Sequence, residues 1–78
     1  MAVYTVFNDS REKLRPVKFR WRNRVCAIKE ITYAWETRHG STTCRHFAAS
    51  DGANLYELVF NTTALTWELC NVQPLNEL

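Results

Sequence analysis

Apolar and polar residues alternate along most of this chain, and a period of two is the mark of a half-buried β-strand. In residues 2–7, Val3, Thr5 and Phe7 share one face while Tyr4 and Val6 share the other. In residues 17–22, Val17, Phe19 and Trp21 lie opposite Lys18, Arg20 and Arg22. Further on, Cys44, His46 and Ala48 oppose Arg45, Phe47 and Ala49, and Tyr56, Leu58 and Phe60 oppose Leu55, Glu57 and Val59. Trp67 and Leu69 then alternate with Thr66, Glu68 and Cys70.

Turn-forming residues punctuate these runs at Asn8-Asp9-Ser10, Pro16, Asn23, His39-Gly40-Ser41, Asp51-Gly52 and Asn61-Thr62-Thr63. Asn23 tolerates a left-handed backbone, so Arg22-Asn23 reads as a tight turn. The stretch from Asn8 to Pro16 reads as a polar, basic loop. Residues 29–38 are ambiguous. Ile28, Ile31 and Trp35 sit at helical spacing, yet Ile31, Tyr33 and Trp35 also fit period two among β-forming residues. The expected solution is a long strand with a bulge near Lys29-Glu30, which would return Ile28 and Trp35 to one face. The fold class that follows is all-β: an antiparallel meander of five to six strands curled into a small open barrel or roll. The alternative is an α+β fold with a short helix within 29–38.

A chain of 78 residues holds one domain, residues 1–78, and one core. Three Trp, three Tyr and four Phe supply the large side chains that so small a core needs. No apolar stretch approaches the ~18 residues of a membrane-spanning helix. The first residues, MAVYTVFNDS, lack the basic and apolar regions of a secretion signal. Cys26, Cys44 and Cys70 are odd in number and widely spaced, so three reduced thiols, acting as small core residues in a cytoplasmic protein, are expected. On the same grounds Asn61-Thr62-Thr63 is read as a turn and not as a glycosylation site.

The net charge of +2 hides an asymmetry: residues 1–30 carry +5 and residues 31–78 carry −3. Seven of the ten cations fall between Arg11 and Arg24, and such a block is an electrostatic footprint. Lys18, Arg20 and Arg22 should project from one strand face about 6.5–7 Å apart, close to the repeat of phosphates along a nucleic-acid strand. Arginine forks bind phosphate in bidentate fashion. Arg11, Lys13 and Arg15 on the preceding loop, and Arg24 across the turn, would widen the patch. The candidate partners are therefore a nucleic-acid backbone or an acidic protein. The plainer reading is a solvated face whose cations pair with Glu57 or Glu68 on neighbouring strands. Phe19 and Trp21 point away from the cations by parity, so the basic face has no evident stacking platform; Tyr4 and Tyr33 are the aromatics that exposure could add.

Other chemistry finds little support. Cys44 and His46 share a face with His39 nearby, but a zinc site would need Cys26 or Cys70 from other strands to complete four ligands. A Cys44–His46 nucleophilic pair has no orienting acid or glycine-rich nest beside it. The carboxylates are scattered, and the two glycines stand too far apart to cradle a phosphate. The expectation is a protein that is not an enzyme and uses no metal or cofactor.

Pro16-Val17-Lys18-Phe19-Arg20-Trp21-Arg22-Asn23-Arg24 resembles the P-x-x-F-x-W-R-G-R signature of a small bacterial domain family of unknown function. Ile28 with Trp35, Arg45-His46-Phe47, Asp51-Gly52, Tyr56-Glu57-Leu58 and Trp67-Glu68-Leu69 follow in the matching order, so the resemblance spans roughly residues 14–72. Asn23 stands where the family has its turn glycine. His39-Gly40-Ser41-Thr42 replaces the Trp pair that many members carry after the position of Trp35. The resemblance implies a stand-alone small protein associated with Y-family DNA-polymerase-like proteins of lesion bypass, hence a DNA-repair setting or a polymerase-like protein partner.

Overall fold

The computed structural model describes residues 2–8 and 13–75. The chain is all-β, and the described residues form seven strands: β1 (Ala2–Asn8), β2 (Lys13–Trp21), β3 (Arg24–Ala27), β4 (Glu30–His39), β5 (Thr42–Ser50), β6 (Asn54–Asn61) and β7 (Thr66–Pro74). They form two antiparallel meanders, β1-β2-β3 and β4-β5-β6-β7, each in chain order. The result is a roll of two sheets, not a closed barrel. No helix occupies 29–38. The strand count exceeds expectation because the chain changes sheet at Ile28-Lys29. There the Ile28 N–H donates to the Val17 carbonyl at 2.9 Å, while the Lys29 N–H donates to the Ser50 carbonyl at 2.8 Å. Neighbouring peptides thus extend the ladders of different sheets. The strands also reach further into the 8–16 stretch than a loop would, with β1 running to Asn8 and β2 starting at Lys13.

Each sheet buries one face against the other. Phe19 and Cys26 from the first meet Phe47, Ala49, Tyr56 and Leu58 from the second, with Val3, Trp21, Ile28, Ile31, Trp67, Leu69 and Val72 packed around them. Phe19 is 0 % exposed. Its ring meets Tyr56 edge-on, with centroids 4.9 Å apart at 74°, and Trp21 approaches the same tyrosine at 6.2 Å and 75°. This is the geometry that aromatic quadrupoles favour. On the far side, Trp67 packs between Phe47 and Phe60.

Three register shifts decide which residues face the core. In β2, Val3 pairs with Phe19 and Tyr4 with Lys18, but Thr5 pairs with Pro16, leaving Val17 as the extra residue. Pro16, not Val17, takes the buried place, and a bulge is where a strand tolerates a residue with no N–H. In β4 the extra residue is Thr32, between the pairs Ile31–Ala49 and Tyr33–Ala48, and not Lys29-Glu30 as the pattern suggested. Ile31 therefore faces the core while Tyr33 and Trp35 face outward, so Trp35 lies opposite Ile28 rather than beside it. In β7 the shift leaves Cys70 unpaired between Asn71 and Leu69. Of the three free cysteines only Cys26 is a core residue; Cys44 is half-buried and Cys70 exposed.

The turns follow local chemistry. Arg22 and Asn23 have φ of 52° and 63°, the two left-handed positions of a type I′ hairpin, which matches strand twist. Asp51 caps the β5–β6 connection. Its Oδ1 accepts from the N–H groups of Ala53 and Asn54 at 2.9 and 2.8 Å, and its Oδ2 accepts from the buried Tyr56 hydroxyl at 2.9 Å. Gly52 follows at φ 97°, beyond the comfort of any side chain. Asn61 closes the last connection, its Oδ1 accepting from Thr63 and Ala64.

Burial, reinforced by the hydrogen bond to Asp51, pushes the Tyr56 hydroxyl up to about 12 from 10.0. Burial alone would raise the Asp51 carboxyl, but the Ala53, Asn54 and Tyr56 donors outweigh it and hold the group below 3.8. The signs follow. Tyr56 contributes stability that is complete below 10.0 and is lost as pH rises towards about 12. Asp51 contributes stability that is present above 3.8 and is lost as pH falls through its lower folded value. Tyr56→Phe should cost about 1–2 kcal/mol in urea unfolding at neutral pH, and Asp51→Asn should flatten the acid limb of stability against pH. Phe19→Ala should cost about 3–5 kcal/mol.

Candidate binding surface

The outward face of the three-stranded sheet carries the basic block. Parity from the buried Phe19 sends Lys18 and Arg20 outward. The Val17 bulge adds Arg15 to the same face, although it stands three positions before Lys18, an odd offset that would place it opposite on a regular strand. Arg15 thus belongs to β2 and not to a loop. All three are exposed. Across the sheet, Tyr4 pairs with Lys18, and Lys18 with Ala27; Ala2 pairs with Arg20, and Arg20 with Val25. Tyr4 is 49 % exposed, and the Lys18 Nζ sits 4.9 Å from its ring centroid. Val25 is 53 % exposed on the same face.

The other predicted cations divide. Arg22 leaves the Lys18–Arg20 row, because its left-handed turn conformation breaks the alternation; its guanidinium lies over the Trp21 ring, 4.8 Å from the centroid. Arg24 is exposed and pairs with Trp21, on the parity opposite to Arg20. Arg11 lies outside the described residues. Lys13 opens β2, and its side chain lies outside the described residues. The structure therefore brings Arg15, Lys18 and Arg20 together on one face, with Arg22 and Arg24 at the hairpin end.

The expected alternative partners for these cations lie elsewhere. Glu57 and Glu68 belong to β6 and β7 of the other sheet. Among the described residues Arg45 pairs with Glu36 at 3.7 Å, and the His46 imidazole stands 3.5 Å from the Glu57 carboxylate; neither contact uses the basic face. That face is thus a cluster of solvated cations around an exposed aromatic ring. Tyr4 is the member that sequence reasoning left undecided. Its signal was present: it shares the parity of Lys18 only once β1 and β2 are paired in register, which a single strand's pattern does not state.

His46 has a different setting from the one its neighbour Cys44 suggested. Its Nε2 is 2.8 Å from the Thr37 hydroxyl, and its ring stacks on Trp35 with centroids 4.9 Å apart at 13°. Among the described residues no three His, Cys, Asp or Glu side chains gather as a metal-binding group, and no helix is long and apolar enough to cross a membrane. Compared with protein-family models, with curated proteins and with solved structures, the chain gives no match.

Since Lys18 and Arg20 hold no carboxylate among the described residues, replacing both with Gln should leave thermal stability almost unchanged, within about 0.5 kcal/mol per site. A larger loss in calorimetric unfolding would reveal a structural role for these cations.

Proposed function

We propose that this chain is a non-enzymatic binding module whose basic sheet face tracks the phosphate backbone of a nucleic acid. The observation that carries the reading is the cluster of Arg15, Lys18 and Arg20 around exposed Tyr4, with no carboxylate paired to it among the described residues. Cations at strand spacing suit phosphates, and an exposed ring among them suits a stacked base. Single strands are thus favoured over duplex, because only a strand with unpaired bases can use Tyr4. The resemblance of residues 14–72 to the lesion-bypass-associated family supports a DNA-repair setting inside the cell. A second reading, docking to an acidic or polymerase-like protein by strand addition, draws support from β4, a ten-residue strand hydrogen-bonded to a neighbour on one side only.

The discriminating measurement is anisotropy of labelled single- and double-stranded oligonucleotides at low and moderate salt. Phosphate tracking should give a log–log salt slope of roughly −0.7 per contact for single strands and −0.9 for duplex. Lys18→Gln with Arg20→Gln should reduce the magnitude of that slope by about one per residue. Tyr4→Ala should weaken single strands by about 1–3 kcal/mol and spare duplex. Absence of binding at low salt, or a slope untouched by the double substitution, would overturn the reading.

A further inference from the structure

The outward face of the four-stranded sheet differs in kind from the basic face. Register places Glu30, Glu57 and Glu68 on it and no Lys or Arg from any of its four strands. It also carries two large rings. Tyr33, 66 % exposed, lies beside Trp35 with ring centroids 5.3 Å apart. Trp35 in turn stacks on His46, which is held from both sides. The Thr37 hydroxyl contacts Nε2, and the Glu57 carboxylate stands 3.5 Å from Nδ1, a buried atom that makes no hydrogen bond. Three adjacent strands thereby bring an indole, an imidazole and a carboxylate together.

Beside them opens a cleft of about 180 Å³ lined by Trp35, Ala48, Leu55, Glu57, Asn71 and Gln73. Its origin is the small side chain of Ala48, which sits in the row Tyr33–Ala48–Glu57–Asn71 and leaves a dip between taller neighbours. The size is decisive. Pockets for cofactors and drug-sized ligands run to roughly 300–1,000 Å³, so this cleft suits one side chain and not a nucleotide. Its chemistry is an indole wall, an apolar floor, two carboxamides and one acidic side chain, Glu57. An indole face attracts cations, and a carboxylate beside it selects a planar cation that can stack and hydrogen-bond together. We propose that the cleft receives one arginine side chain presented by a basic partner peptide. The guanidinium would lie along Trp35, pair with Glu57 and donate to the Asn71 and Gln73 carbonyl oxygens.

The probe is a short peptide with one central arginine, titrated into the full chain and followed by NMR shifts of the Trp indole N–H groups and of the Asn and Gln side-chain amides. Its control is the same peptide with citrulline, which keeps the shape and loses the charge. The arginine peptide should shift the Trp35, Asn71 and Gln73 signals saturably, with citrulline at least about tenfold weaker, since charge-assisted pairing is worth about 1.4 kcal/mol or more. Glu57→Gln should weaken arginine binding by at least about tenfold. Trp35→Leu, which keeps an apolar wall but removes the ring quadrupole, should weaken it about threefold to thirtyfold. Glu68→Gln, on the same face but outside the cleft, should leave it unchanged. Equal binding of citrulline, indifference to Glu57→Gln, or shifts confined to the basic face would each overturn the proposal. So would sedimentation showing that the chain itself associates through Glu57, because the occupant would then be a second copy.

Discussion

One edge-on contact, Phe19 against Tyr56, joins the two sheets, and most of the architecture depends on it. Phe19 is, with Pro16, fully buried in the first meander, and Tyr56 is, with Leu58, fully buried in the second. Tyr56 is anchored twice, by its ring between Phe19 and Trp21 and by its hydroxyl on Asp51. The hydroxyl makes the contact directional. A phenylalanine could slide within the core, but a tyrosine bonded to a capped turn sets the depth at which β6 meets β2. A domain of this size has few other large contacts between layers, so a small number of rings carries its cohesion.

The same contact explains why both outer faces are so well defined. Once Phe19 is inward, Lys18 and Arg20 have no choice; once Tyr56 and Leu58 are inward, Glu57 must face water. Alternation is readable in the residues themselves: it sends Phe19 and Trp21 inward, and it sets Phe47 apart from His46 and Ala48, and Tyr56 and Leu58 apart from Glu57, as the structure has them. The bulges were not readable. Val17, Thr32 and Cys70 differ from their neighbours only in what stands opposite them on another strand, and pairing is a property of two segments at once. Those shifts turn Trp35 outward, away from Ile28, and bring Arg15 into line with Lys18. The division of the 24–39 segment into β3 and β4 was hidden for a related reason: the switch at Ile28-Lys29 is made by hydrogen bonds to Val17 and Ser50, distant in the chain.

The candidate sites show the same limit. The charge of the basic face was evident from composition, since seven cations fall within a short stretch. Its aromatic member became evident only with the register of β1 on β2. The Trp35–His46–Glu57 group was further from view, for it draws single residues from β4, β5 and β6, none of which forms a motif in its own strand. His46 drew notice beside Cys44, the next residue on its own strand face, but its actual neighbours lie across the sheet, at Thr37, Trp35 and Glu57.

Two sheets packed inner face to inner face leave their outer faces pointing in opposite directions. Here one carries Arg15, Lys18 and Arg20 and the other Glu30, Glu57 and Glu68. Among the described residues these two faces set up a charge separation from one sheet to the other, although the net charge of the chain is only +2. Near an anionic surface it experiences a torque before it touches anything, and it rotates until the basic side leads. Orientation in encounter is therefore built into the layering itself, and the trailing side, with its indole and carboxylate, stays turned toward open solvent.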